Sequence, residues 1–353
     1  MFASVMTYNW REEPGMKLYA GIDLHSNNSV VSVIDEEDRV VYEKRLANDL
    51  ERIVVALMAF KEALVGIVVE STFNWYWLVD GLMAAGFRVH LANPAAIVQY
   101  EGLKRTGDEH DARWLAHLLR LSILREGYIY PKAARGVRDL MRRRMQLVQS
   151  RSTQLLAMQT QLTRSTGRSL RAVELKRIRA GELDARVDDH NVASALRANL
   201  AVVHTLNAEV ARLEREIVAQ VKLAAQFEPL LSIPGIGQTL ALCIMLETGE
   251  VTRFTKVGNF ASYARCVDSE RVSNGKKKGE GNVKCGNRYL AWAFVEAAHF
   301  AVRYNARIER YYARKAAKTN KMVAIKAVAH KLARAAYHVM RTHEHFEEAR
   351  AFA

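Results

Sequence analysis

Three acids and a histidine crowd into consecutive positions of the stretch KRTGDEHDARWLAHLLR: Asp108, Glu109, His110 and Asp111. Lys104 and Arg105 precede them, and Arg113 and Arg120 follow. Carboxylates set among bases suit a metal-dependent enzyme of nucleic acid, because acids hold a divalent cation while the bases hold the phosphate backbone. Asp108 and Asp111 are three apart at the head of a helix-forming run, so both lie on one face of that helix. The same pair would also serve as a plain helix start, Asp108 as N-cap and Asp111 at N3, where acids complement the helix dipole. Two further acids weigh against that plain start. Asp23, in GIDLH, and Glu70, in VGIVVE, each end a short apolar run.

Those runs need a sheet to position them. The spacing predicts strands over 18–22, 30–34 and 40–41, with a turn at Asn27–Asn28 and a charged tip at 35–38. A helix over 50–64, a buried strand over 65–69, a helix over 75–85 and a β-rich piece over 87–91 follow. Strands alternating with helices imply an α/β sheet with much parallel pairing. Ligands of such sheets bind beyond the carboxyl ends of the strands, where Asp23 and Glu70 sit. Four ionised carboxylates cannot crowd together unless a cation neutralises them, and oxygen donors of this kind suit Mg²⁺, as a pair of ions.

The rest of the composition agrees with a polyanion-binding protein. The chain has 353 residues, enough for two or three cores, and half of them are apolar. Its formal charge is +14. Such a balance points to nucleic acid or an anionic membrane surface. No apolar run reaches the length of a membrane span. Residues 1–15 read as a tail with acids and no apolar core, not a signal peptide. Three scattered cysteines are too few for a disulfide framework or a zinc site, which fits a reducing cytoplasm.

Four segments are expected: the tail 1–15, a sheet domain 16–136, a helical linker 137–225 and a C-terminal domain 226–353. In the linker, positions 137, 141, 144, 148, 151, 155, 158 and 162 are apolar except for Arg144 and Arg151. Positions 192, 196, 199, 203, 206, 210, 213, 217 and 220 are apolar except for Asn199 and Gln220. That alternation of threes and fours predicts an antiparallel coiled-coil hairpin, either paired with another protomer or layered on the first domain. From 104 to 179 there are eighteen Lys/Arg against six Asp/Glu, with Arg142, Arg143 and Arg144 as a dense patch for phosphate.

The last segment opens on LLSIPGIGQTL, where Gly235 and Gly237 let a backbone approach phosphate ahead of a helix N-terminus near Gln238. It resembles a helix-hairpin-helix; a plain interhelical turn is the alternative. Residues 271–288 carry six bases, one acid and four glycines, read as a phosphate-holding loop unsuited to helix or strand. Lys276, Lys277 and Lys278 lie in it, Ser273 precedes them, and a helix starts near Arg288. A helix is expected over 301–340, with Arg303, Arg307, Arg310, Arg314 and Lys318 as a one-sided basic stripe.

GIDLH (21–25), VVEST (68–72), LANP (91–94) and the D-x-x-D-A of 108–112 resemble the DEDD transposases of bacterial insertion sequences, the IS110 family, which includes the Piv-type DNA invertases. The order Asp, Glu, Asp, Asp carries the catalytic and metal-binding roles to Asp23, Glu70, Asp108 and Asp111. Where the family often has Lys-Thr-Asp, this chain has Arg105-Thr106-Gly107-Asp108. The resemblance implies a RuvC-like, RNase H-type first domain and a C-terminal transposase domain with a serine nucleophile. Counting back from Gly286-Asn287-Arg288-Tyr289-Leu290 places that serine at Ser273, with Ser269 as the fallback. It further implies donor and target DNA, a structured bridge RNA, a homodimer or homotetramer and a bacterial cytoplasmic, nucleoid-associated setting. A hydrolytic junction resolvase, needing no serine, and a non-catalytic DNA-binding protein are the alternatives.

Overall fold

The computed structural model describes residues 15–97, 107–221, 224–279 and 285–352. Most of the tail 1–15 lies outside them, as do Lys104 and Arg105. The chain divides into two compact units, residues 1–130 and 131–353.

The first unit is built on β1 (Leu18–Leu24), β2 (Asn28–Ile34), β3 (Val40–Ala47), α1 (Leu50–Met58), β4 (Leu64–Glu70), α2 (Tyr76–Ala84), β5 (Val89–Ala92) and α3 (Asp108–Arg120). The sheet order is β3-β2-β1-β4-β5. β1 to β3 form an antiparallel meander, and β4 and β5 join β1 in parallel. β3 is longer than the expected 40–41, and α1 stops at Met58, leaving room for β4 to begin at Leu64.

Side chains alternate across a strand, and that alternation sorts the layers. Leu18, Ala20, Ile22 and Leu24 of β1, with Ile67 and Val69 of β4, pack against Ile53 and Leu57 of α1 and Leu78, Val79 and Leu82 of α2. Val68 faces the other way and packs with Leu115 of α3. Gly21 lies under α3 as well, because a Cβ there would sit 2.0 Å from the Ala112 carbonyl oxygen and 2.8 Å from the Ala116 nitrogen. Asp23 shares the phase of Gly21, and Glu70 that of Val68, so both acids belong to the α3 side.

The second unit contains α4 (Lys132–Thr166), α5 (Ala172–Leu175), α6 (Ala180–Asp184), α7 (His190–Val221), α8 (Phe227–Leu231), α9 (Gln238–Thr248), α10 (Val257–Tyr263), β6 (Arg271–Ser273), β7 (Lys276–Gly279), α11 (Arg288–Tyr304), α12 (Ala306–Lys318) and α13 (Lys321–Thr342). α4 and α7 lie side by side. Arg144 bonds Glu214 and Arg151 bonds Asn207, so residue numbers fall on α7 as they rise on α4, and the two helices run antiparallel. The two arginines that interrupt the apolar spacing of α4 are therefore partnered across it. At one end of the pair, Leu155, Met158 and Leu162 meet Leu196, Leu200 and Val203, covered by Leu175 and Leu183 of the two short helices. At the other end, Met141, Met145, Leu213 and Ile217 join the core of α9, α11 and α13.

Two expectations are corrected here. The segment 271–279 is not a strandless loop, because β6 and β7 pair antiparallel through Asn274 and Gly275. Both turn residues have positive φ, 51° and 69°, the combination that an Asn-Gly type I′ turn supplies. The expected helix over 301–340 is three helices. Asn305 breaks it, accepting from the Arg307 and Ile308 backbone N–H groups, and Asn320 breaks it again, accepting from Val323. Among the described residues no helix is long and apolar enough to cross a membrane.

Candidate active site

Three elements deliver the acids to one place. β1 and β4 are parallel neighbours with Ile22 opposite Val69, so Asp23 and Glu70 follow on adjacent strand ends. The missing side chain of Gly21 lets α3 press onto β1, which lays its first turn over those ends. α3 is tied down along the sheet by Arg113 to Glu43 of β3, and by Arg120 and His117 to Asp38 of the β2–β3 turn. The first turn then presents Asp108 and Asp111. Asp108 is not the helix cap: Gly107 holds that position without a side-chain bond, and Asp108 is the first helical residue.

Burial and neighbouring charge both act on the group. Burial pushes the Asp23 carboxyl above its usual range, and the Asp111 and Asp108 charges push the same way, against the pull of His25 and Arg45. Burial likewise raises Glu70, and Asp23 and Asp111 raise it further. Asp108 goes the other way, because the Arg45 guanidinium, 2.6 Å from Oδ2, favours its charged form. The four acids thus interact as one group, with Asp23 and Asp111 common to the pairings.

Sequence reasoning missed His25, Arg45, Asn48 and Asn74. His25 Nε2 lies 3.1 Å from Asp23 Oδ2 and 3.2 Å from Asp108 Oδ2. Asp23, His25 and Asp108 offer three ligand atoms within 4.8 Å of one another. The carbonyl of His25 accepts from the Asn48 and Asn74 amides at 2.9 and 3.0 Å. His25 was visible in the GIDLH string, two positions after the acid; the other three carry no local signal.

The remaining candidates lie in the second unit. Ser273 ends β6, exposed beside the Asn274–Gly275 turn and opposite Lys276. Lys276 and Lys278 are exposed and Lys277 pairs with Glu270 at 3.4 Å. Ser269 is half-buried just before the ribbon. Arg288 is exposed on the first turn of α11, which Asn287 caps through the Tyr289 and Leu290 backbone N–H groups. Arg303 of α11 and Arg307, Arg310, Arg314 and Lys318 of α12 are all exposed.

The Arg142–Arg144 patch is not one surface. Successive helical residues point about 100° apart. Arg142 forks onto the buried Glu247 at 2.6 and 2.7 Å, and Arg144 bonds Glu214, so only Arg143 of the three is exposed. Gly235 is also accounted for internally: with φ +83°, its missing Cβ admits the Ala297 carbonyl oxygen of α11 at 2.1 Å from where that atom would lie. Gly237 has open space around it and caps α9 without a side-chain bond.

Residues 20–166 match a DEDD family model described as a transposase, a span that includes all four acids. Residues 228–313, including Ser273, match a second model, described as transposase, IS116/IS110/IS902 family. A protein of Pseudomonas aeruginosa called "Probable family 20 transposase" is 28% identical over 241 residues, covering 65% of this chain and 68% of that relative.

Proposed function

The chain belongs to the IS110 family of transposases, and from that premise we propose that it excises and inserts a mobile element by serine transesterification on DNA. The observation that carries the proposal is the meeting of Asp23, Glu70, Asp108 and Asp111 beyond the ends of β1 and β4. The sheet order, with an antiparallel meander extended by two parallel strands, supports an RNase H-like, RuvC-type reading of the first unit.

The site fits a divalent cation: Asp23, Asp108 and His25 bring three donor atoms together, and burial together with the neighbouring acids leaves Asp23 and Glu70 short of positive charge. Such a cation, when bound, draws charge from a phosphate oxygen and eases deprotonation of a hydroxyl. Asp23, Glu70, Asp108 and Asp111 are the residues to hold it, with Mg²⁺ the ion that oxygen donors favour.

Ser273 is the proposed nucleophile, with Ser269 second. Its Oγ gives up a proton and bonds to phosphorus as one bond between phosphorus and a deoxyribose oxygen breaks. The released sugar hydroxyl takes up a proton. Phosphoserine keeps the bond energy of the strand, so a sugar hydroxyl attacking in reverse reseals DNA without an outside energy source. Lys276, Lys278 and Arg288 bring positive charge to the same segment, which favours the charged transition state. The exposed arginines of α11 and α12 support binding of a polyanion, DNA and a bridge RNA alike; assembly as a homodimer or homotetramer is part of the same proposal.

The test is incubation with element-end DNA, Mg²⁺ and flanking transcript RNA, followed by a denaturing gel and peptide mass mapping. A DNA adduct on Ser273, absent from Ser273→Ala and Asp23→Asn, is the expected result. Mg²⁺-dependent nicking without any adduct would instead identify a hydrolytic resolvase.

A further inference from the structure

We propose that His25 is a nitrogen ligand of the divalent cation, so that this site prefers an ion that accepts a nitrogen donor, such as Mn²⁺, to Mg²⁺. The inference rests on the acidic site proposed above and adds to it a donor of a different kind.

The geometry of the donors carries it. A six-coordinate ion with bonds of about 2.1 Å sets neighbouring ligand atoms about 3.0 Å apart. His25 Nε2 stands 3.1 Å from Asp23 Oδ2 and 3.2 Å from Asp108 Oδ2, the spacing of neighbouring positions around one ion. All three atoms fall within 4.8 Å of one another. Nε2 is itself a buried atom with no hydrogen bond of good geometry to the protein, and its closeness to two carboxylates calls for positive charge between them, from a protonated ring or from a bound ion.

The backbone that carries this imidazole is fixed from two sides. Asn48 and Asn74 both donate to the His25 carbonyl, one from the β3–α1 junction and one from the β4–α2 loop. Each amide has its oxygen engaged elsewhere, by the Ser29 hydroxyl at 2.7 Å and the Thr72 hydroxyl at 2.9 Å, which leaves the NH₂ to face His25. His25 continues the alternation of Gly21 and Asp23, so its ring joins the α3 side with the acids. Such outside support holds a ligand in its binding orientation.

Donor chemistry then sets the preference. Mg²⁺ keeps oxygen ligands and water, whereas the first-row transition ions, Mn²⁺ the weakest-binding among them, accept imidazole nitrogen more readily than Mg²⁺ does. Asp108 Oδ2, which faces His25, also holds Arg45, so that oxygen exchanges a guanidinium for the ion on binding.

The experiment is a Mn²⁺ titration of the full-length protein without nucleic acid, read by electron paramagnetic resonance, with Mg²⁺ as competitor. The wild-type spectrum is expected to show spin-echo modulation from a directly bonded imidazole nitrogen. His25→Gln should abolish that modulation, raise the Mn²⁺ dissociation constant at least about tenfold, and narrow the preference for Mn²⁺ over Mg²⁺. Asp23→Asn should weaken both ions. Mn²⁺ bound to wild type without nitrogen modulation, and lost on Asp23→Asn but not on His25→Gln, would overturn the histidine ligand and leave the acidic site standing. Mn²⁺ affinity untouched by Asp23→Asn would overturn both. The wild-type spectrum decides the nitrogen question even if a His25 variant fails to fold.

Discussion

Gly21 of β1 and Ala112 of α3 meet with no room for a side chain, because a Cβ on Gly21 would lie 2.0 Å from the Ala112 carbonyl oxygen. The atom in the way is backbone of a helix, which no rotamer change can move. This contact sets how near the first turn of α3 comes to the end of β1, and so how near Asp108 comes to Asp23. Gly21→Ala is expected to destabilise the protein by about 3 kcal/mol, the upper range for overpacking, and to abolish metal-dependent DNA cleavage. Gly136→Ala in α4, where nothing lies within 4 Å, is the control and should leave stability equal or slightly higher. Thermal melts and a cleavage assay on both variants decide the matter.

Asp38 ties the other end of α3 to the sheet, and it makes that tie pH-dependent. Burial alone would raise its carboxyl, but hydrogen bonds from His117 and Arg120 outweigh that and hold it below the usual carboxylate range. A carboxyl depressed in the folded state binds its proton more readily when unfolded. Its contribution is therefore complete above the unfolded value, near 3.9, and fades as pH falls through the lower folded value. The side chain is about one-third exposed, so solvent limits the contribution to about 1 kcal/mol or less. Asp38→Asn suits the positive φ of 64° at this position and removes only the charge. Its melting temperature should fall below that of wild type at neutral pH, and the gap should close on acidification past the folded value. A constant gap across that range would refute the coupling.

The parts of this site that sequence reached were those written in local alternation. Asp23 and Glu70 each end an apolar run, which put them at the carboxyl ends of two strands; the face they share with Gly21 came from the structure. The three-residue spacing of Asp108 and Asp111 put both on one face of a helix. What stayed hidden depends on long-range partners. Arg142 is one of three successive arginines and gives no sign that it will meet Glu247, 105 positions later. Arg45 finds Asp108 across 63 positions. Elsewhere a local signal was present and outweighed. Asn274-Gly275 is a hairpin turn, yet four glycines and six bases around it suggested a loop. Asn305 and Asn320 are helix caps, yet the basic stripe of Arg303 to Lys318 kept its spacing across the first break and suggested one long helix.

Glu247 is among the few buried charged residues, only 2% exposed, and the Arg142 fork together with the Asn287 amide satisfies it. Asn287 also caps α11, immediately after the segment that carries Ser273. Removing Arg142 alone would leave a buried carboxylate short of its main partner, which costs about 3–5 kcal/mol. Arg142→Met should show that loss in chemical denaturation. The double variant Arg142→Met, Glu247→Leu removes the stranded charge and should recover much of it. A double variant less stable than Arg142→Met would show that the pair is not the source of the cost.

The exposed arginines of α12 offer a prediction about affinity instead of stability. Arg307, Arg310 and Arg314 are spaced three and four apart on the face opposite the buried Ile308, and none of them forms an ion pair among the described residues. A phosphate contact releases counterions from DNA, so each contact steepens the fall of affinity with salt. Single alanine variants should weaken DNA binding about equally for unrelated sequences and lower the slope of log affinity against log salt by about 1 each. Arg212 on α7 is equally cationic but is held between Glu209 and Glu216, so Arg212→Ala should leave the slope unchanged. Binding isotherms at several salt concentrations separate the two groups. Equal slopes for wild type and the Arg310→Ala variant would remove this face of α12 from the DNA-binding surface.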